Sequence, residues 1–144
     1  MKIIPYGKQF IDSFDKKLVK KSLDQSLITT GKFVNLFEKK IKKYLEAKYV
    51  ITCNSGTSAL HIAMMSIKLK RNDVIIMPAI NFIAAYNMAI NLGAKIYLAD
   101  VDDVTGQVTP DKIIECIKKN NLRKIKVVLT MYMGGYPNNI IEFY

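Results

Sequence analysis

Few residues of this chain are suited to metal, redox or triad chemistry. Histidine occurs once, at His61, within an apolar-periodic segment. A lone His with no Asp, Ser or Cys in register reads as packing or interface rather than catalysis. Cys53 and Cys116 lie far apart and form no CxxC spacing. That excludes a zinc knuckle and a disulfide framework, fits a reducing compartment, and makes both Cys small buried residues. Asp100, Asp102, Asp103 and Gly106 fall short of a calcium loop, because the Gly comes one place late and no Glu closes it. No metal is expected. No apolar run is long enough to span a bilayer, and Met1 to Tyr6 lacks the apolar stretch of a signal peptide. The expected setting is soluble and cytoplasmic, with no membrane partner. Arginine is nearly absent: only Arg71 and Arg123 occur, so the net charge of +10 is almost entirely lysine. The lysines cluster at Lys16, Lys17, Lys20 and Lys21, at Lys39, Lys40, Lys42 and Lys43, and at Lys118 and Lys119. Such runs form solvated helix faces, and no helix-turn-helix, zinc or stacking-aromatic motif accompanies them. A nucleic-acid partner is therefore not expected; it would show as binding with a steep salt dependence.

What is present is a regular alternation of periods. At 144 residues the default is one domain, and the apolar half of the composition permits a real core. Phe10, Phe14, Leu18 and Leu23 mark a first helix, and Ser26 to Gly31 breaks it. Val34, Phe37, Ile41, Tyr44 and Leu45 mark a second. Lys48 to Cys53 reads as a buried strand, followed by a helix opened by Ser55 to Ser58. Asp73 to Pro78 is a strand stopped by proline. Phe82 to Leu92 is helical, with Gly93 ending it. Lys95 to Ala99 is a strand. Thr109 caps a helix with Pro110 in its first turn, running to about Asn120. Lys124 to Thr130 is a further strand. Methionines such as Met64, Met65 and Met88 fall at core-like helix positions. Strand-helix alternation with crossovers of this length predicts a three-layer α/β/α fold around a mostly parallel sheet. Ligands of such sheets gather beyond the carboxyl ends of the strands.

The most informative stretch is Asn54-Ser55-Gly56-Thr57-Ser58-Ala59-Leu60. An extended run that turns through small polar residues into a helix makes an anion site. The first helical N–H groups lack intrahelical acceptors, and the dipole is positive there. Gly56 allows close approach, and Thr57 and Ser58 can add hydroxyls. The same residues also suit a plain helix cap with no ligand. Asn81-Phe82, at the next strand-to-helix turn, falls on the same ligand-binding edge.

The sequence resembles the DegT/DnrJ/EryC1/StrS sugar aminotransferases, which use pyridoxal 5′-phosphate (PLP). Thr29-Thr30-Gly31-Lys32-Phe33-Val34 with Phe37-Glu38 resembles the family's S/T-T-G-P-x-V-xx-F-E entry segment. Asn54 to Ala63 resembles S-G-T-x-A-L-H-L-A. Pro78 to Ala85 resembles P-x-x-T-F-x-A-T, and Asp100 to Pro110 resembles D-x-D-x-x-T-x-x-x-x-P. Gly135-Tyr136-Pro137 resembles the G-x-P that follows a strand. Each is weak alone; together, in order, they cover nearly the whole chain. The resemblance implies that Gly56, Thr57 and Ser58 hold the PLP phosphate and that Phe82 stacks on the pyridine ring. Without it, Phe82 reads as an ordinary core aromatic. The resemblance places Thr30, Gly31 and Tyr6 on the sugar-nucleotide side. Residues 1–34 then form an N-terminal arm and helix, and 35–144 the start of the sheet of a PLP-transferase large domain. It also implies a homodimer, a nucleotide-linked keto sugar as substrate, glutamate as amino donor, and pyridoxamine 5′-phosphate between the two half-reactions.

Several positions depart from the family pattern. Asn81 stands where Thr is frequent, and Met131-Tyr132 where a Val-His pair is common. Tyr132 to Pro137 looks closest to a branch acting on nucleotide-linked amino sugars for surface glycans. No Lys stands in the family's S-F-x-x-x-K context, and no E-D-x-A segment is present. A PLP transaminase needs that Lys as covalent anchor and proton carrier, and an Asp to keep the ring nitrogen protonated. No catalytic residue is therefore expected within these residues, which should not transaminate alone. They read as the front part of a larger domain. A truncated, non-catalytic product or a phosphate-binding fragment is the competing reading. Exposed parallel edges would make the chain marginal or prone to associate.

Overall fold

The computed structural model describes residues 7–137 and 140–143. Tyr6 lies outside them. The chain divides into two compact units, Met1–Thr52 and Cys53–Tyr144.

The first unit contributes two helices. Helix α1, Ser13–Leu23, opens on a capping box: Asp12 Oδ1 accepts from the Asp15 N–H at 2.9 Å, and Asp15 Oδ2 accepts from the Asp12 N–H at 3.0 Å. Phe10, expected inside this helix, precedes it and is exposed. Helix α2, Lys32–Tyr44, starts at Gly31, where a Cβ would run into the Leu27 carbonyl oxygen. Neither helix has a buried residue.

The expected strand at Lys48 to Cys53 is not formed. A strand needs a ladder partner, and none is present for this segment among the described residues. A side chain takes the ladder's place: Glu38 Oε1 accepts from both the N–H and the hydroxyl of Thr52, each at 2.9 Å. The run is consequently open to solvent, with Tyr49 77% and Ile51 78% exposed. Cys53, expected to be buried, is exposed for the same reason, and only Cys116 is buried.

The second unit is a parallel sheet between helices. Helix α3 spans Gly56–Ser66, strand β1 Val74–Pro78, α4 Ala84–Asn91, β2 Lys95–Ala99, α5 Pro110–Lys119 and β3 Ile125–Val128. Strand order is β2-β1-β3, and both pairings are parallel. The register to β3 slips by one residue, between the pairs Val74–Ile125 and Ile75–Val127. β1 is central and nearly all buried, which explains its unbroken apolar run. Alternation along it builds two cores. Ile75 and Met77 pack with Met64, Leu69, Ala85 and Ala89. Ile76 packs with Ala99, Val108, Ile113 and Cys116 on the other face. Helices α3 and α4 thus cover one face and α5 the other, giving the three layers expected. Leu60 and Met64, four apart, face this core, whereas Met65 points away and is 56% exposed.

Helix direction follows from the connections. The Asn72 N–H donates to the Gly93 carbonyl at 2.9 Å, so α4 ends where β1 begins. Gly93, at φ +77°, provides that stop. Helix α3 also ends just before β1. Both helices therefore start at the opposite, carboxyl edge of the sheet.

Candidate functional site

The carboxyl edge collects the starts of α3, α4 and α5, and the loops after β2 and β3. Ser55 is the N-cap of α3, in extended conformation at φ −159°, ψ 160°. Its Oγ accepts from the Ser58 N–H at 3.1 Å, and its own hydroxyl donates to Ser58 Oγ, also at 3.1 Å. The capping reading of this turn is thus realised by Ser55 and Ser58. It does not exhaust the donors. The N–H groups of Gly56 and Thr57 have no acceptor among the described residues. A Cβ built on Gly56 would meet nothing within 4 Å. The turn therefore presents two free N–H groups and an open approach at the positive end of an 11-residue helix. A phosphate fits such donors, and the Thr57 and Ser58 hydroxyls stand in the same turn.

Phe82 comes after β1, two residues before α4, at the start of the helix packed beside α3. It is 74% exposed, so it is not a core aromatic. Its ring borders a recess of about 230 Å³ with Met77, Asn81, Tyr86 and Leu98. Gly56 to Ser58 and Phe82 thus stand at the starts of neighbouring helices that run the same way. Thr30 and Gly31 belong to the other unit. Thr30 adopts φ +45°, and Gly31 is demanded by the nearby Leu27 carbonyl, so this turn has a local reason for its sequence.

Three buried polar atoms on this edge, Asn81 Nδ2, Gln107 Oε1 and the Tyr132 hydroxyl, have no hydrogen-bond partner among the described residues; Asn81 and Tyr132 stand out in the sequence, and Gln107 does not. Gln107 is only 4% exposed, and its amide donates to the Tyr136 carbonyl at 2.9 Å, tying together the loops after β2 and β3. Its polarity in sequence gave no hint of that burial. Tyr132, at the family's His position, borders a cavity of about 410 Å³ with Thr130, Glu142 and Pro110 of α5. Asp102 is used within its own turn. Its Oδ1 accepts from the Thr105 N–H at 2.7 Å and from the Thr105 hydroxyl at 2.8 Å. The Thr105 N–H first, and then its hydroxyl, hold the Asp102 carboxyl below the usual range. Among the described residues no group of three or more His, Cys, Asp or Glu could hold a metal ion.

The sequence pattern of the DegT/DnrJ/EryC1/StrS aminotransferase family matches residues 9–143. The chain belongs to that family. Two relatives within reach are GDP-perosamine synthases. That of Vibrio cholerae is 26% identical over 96% of this chain, and that of Escherichia coli O157:H7 is 28% identical over 95%. The chain spans 37% of the length of each of these relatives. Among solved structures, a GDP-4-keto-6-deoxymannose-3-dehydratase with a trapped PLP-glutamate geminal diamine superposes with a TM-score of 0.84. It is 26% identical and is matched over 96% of this chain and 36% of its own. The family assignment and the parallel three-layer fold agree. No described helix is long and apolar enough to cross a membrane.

Proposed function

We propose that this chain is the N-terminal portion of the large domain of a PLP-dependent sugar aminotransferase. The whole enzyme would transfer an amino group from glutamate to a keto group on a nucleotide-linked sugar, as a cytoplasmic homodimer in amino-sugar and surface-glycan synthesis. The observation that carries the reading is the turn at Ser55 to Ser58, where the Gly56 and Thr57 N–H groups have no acceptor among the described residues and the approach at Gly56 is open. The names of the relatives, GDP-perosamine synthase above all, support the substrate class.

When bound, PLP supplies an electron sink for breaking bonds at an amino-bearing carbon. The residues here would bind and orient it. The Gly56 and Thr57 N–H groups, with the Thr57 and Ser58 hydroxyls, would hold its phosphate. Phe82 would lie against the ring and exclude water from one face. Thr30, Gly31 and Tyr6 are proposed for the sugar-nucleotide side. Residues 1–34 would form the arm and 35–144 the start of the large domain, although the compact units part later, between Thr52 and Cys53. No residue of the chain is assigned the covalent or proton-transfer role.

Pyridoxamine 5′-phosphate tests this directly, because it cannot condense with the many lysines. Titration followed by its own fluorescence should saturate. Gly56→Val, which fills the open approach, and Phe82→Ala should each weaken binding about tenfold, or 1.4 kcal/mol. No saturable binding by the parent chain would remove the reading. In a longer polypeptide carrying the Schiff-base Lys, the PLP absorbance should shift when glutamate is added.

A further inference from the structure

We propose that Asn81 is a further cofactor-contacting residue, its side-chain amide donating to an oxygen on the ring that rests on Phe82, a role that depends on the cofactor reading above. Asn near the start of a helix ordinarily turns its side chain to the backbone and caps a free N–H. Asn81 does not. The N-cap of α4 is Ile83, and no side-chain hydrogen bond caps that helix. Asn81 Nδ2 is buried and donates to nothing among the described residues. A buried donor without an acceptor costs more than a typical hydrogen bond contributes, so the local fold gives no reason for an amide at this place.

Such a group is relieved by water or by a ligand. Water at a buried site needs about two to four polar partners. The recess beside Asn81 offers few: Pro78, Ile83 and Leu98 line it with side chains that carry no acceptor. A ring that brings its own oxygen suits this wall better. The recess holds about 230 Å³ and is bordered by Phe82, which is 74% exposed. Sites for whole small molecules start at about 300 Å³, so this one takes part of a ligand, such as a single ring. A B6 ring carries a phenolic oxygen on its edge, a strong acceptor when ionised. Of the three orphaned atoms, only Asn81 Nδ2 belongs to a residue bordering the Phe82 recess; Tyr132 borders another cavity, and Gln107 donates to the Tyr136 carbonyl. Thr, frequent here in the family pattern, also brings a donor, but the Asn amide reaches farther from the backbone.

The test is titration of the whole isotope-labelled chain with pyridoxamine 5′-phosphate, following the Asn81 side-chain amide by NMR. One Nδ2 proton should move downfield in a saturating way and exchange more slowly with solvent. Asn81→Leu keeps a similar volume and removes the unpaired donor. It should bind about tenfold more weakly, yet unfold at the same or a higher denaturant concentration. An Asn with a purely structural role predicts the reverse, lower stability with unchanged affinity. Saturating binding that leaves the Asn81 amide unmoved, or parent-like affinity in Asn81→Leu, would overturn the proposal and leave the cofactor reading standing. No saturable binding by the parent would remove both. The amide signal of the parent decides even where the Leu variant does not fold.

Discussion

Ser55 and Thr109 do the same job at the starts of two helices. Ser55 Oγ receives the Ser58 N–H at 3.1 Å, and Thr109 Oγ1 receives the Lys112 N–H at 3.3 Å. Replacing an N-cap by Ala costs about 1 kcal/mol. Ser55→Ala and Thr109→Ala should therefore each lower stability by that order in denaturant unfolding. No loss in either variant would contradict this. Asp102 gives a second residue-scale test. Its folded pKa lies below its unfolded value, because Thr105 donates to the carboxylate. Such a group contributes stability above the unfolded pKa, and that contribution is lost as pH falls through the folded pKa. Thr105→Ala removes the hydroxyl but not the N–H donor, so Asp102 should move part of the way back toward the usual carboxylate range. Carboxyl carbon NMR titration reads this; an unmoved midpoint would contradict it. Phe82 marks where residue-level reading needed help. Its apolar character alone points to a core, whereas its place at a strand-to-helix turn and the family resemblance point to a ligand; the residue is exposed.

At the scale of elements, the sequence was legible wherever a cap or a stop residue coincided with a change of period. Lys95 to Ala99 is the observed β2, and Thr109-Pro110 opens α5 as expected. Pro78 ends β1, and Gly93 follows α4 at a positive φ. The segment at Lys48 to Cys53 has equal apolar content and no strand, because pairing is a property of two segments and its composition describes only one. The burial of Gln107 was illegible for a related reason: it depends on loops that meet only in the fold. The sheet's stability should rest on β1, whose alternate residues serve both cores. Ile76→Ala should cost about 2–5 kcal/mol, as buried Ile truncations do. Ile51→Ala, at an exposed position in the unpaired segment, should stay within about 0.5 kcal/mol. Thermal or denaturant unfolding of the two variants separates them, and similar losses would contradict the assignment of the core.

For the whole molecule, much apolar surface is left open. Phe10 is 87% exposed, Phe14 63%, Val104 88% and Ile141 82%, and β2 and β3 are both sheet edges. Open parallel edges and apolar patches favour association. Sedimentation velocity should show self-association that grows with concentration, and a monomer at every concentration would contradict it. The central claim is narrower than the state of assembly: the turn at Gly56 grips the phosphate of a B6 cofactor whose ring rests on Phe82. Amide and aromatic NMR shifts during titration with pyridoxamine 5′-phosphate test it most directly. The account predicts saturating changes at Gly56, Thr57, Ser58 and the Phe82 ring, with α1 silent. Saturating binding that leaves those four residues unmoved would contradict it.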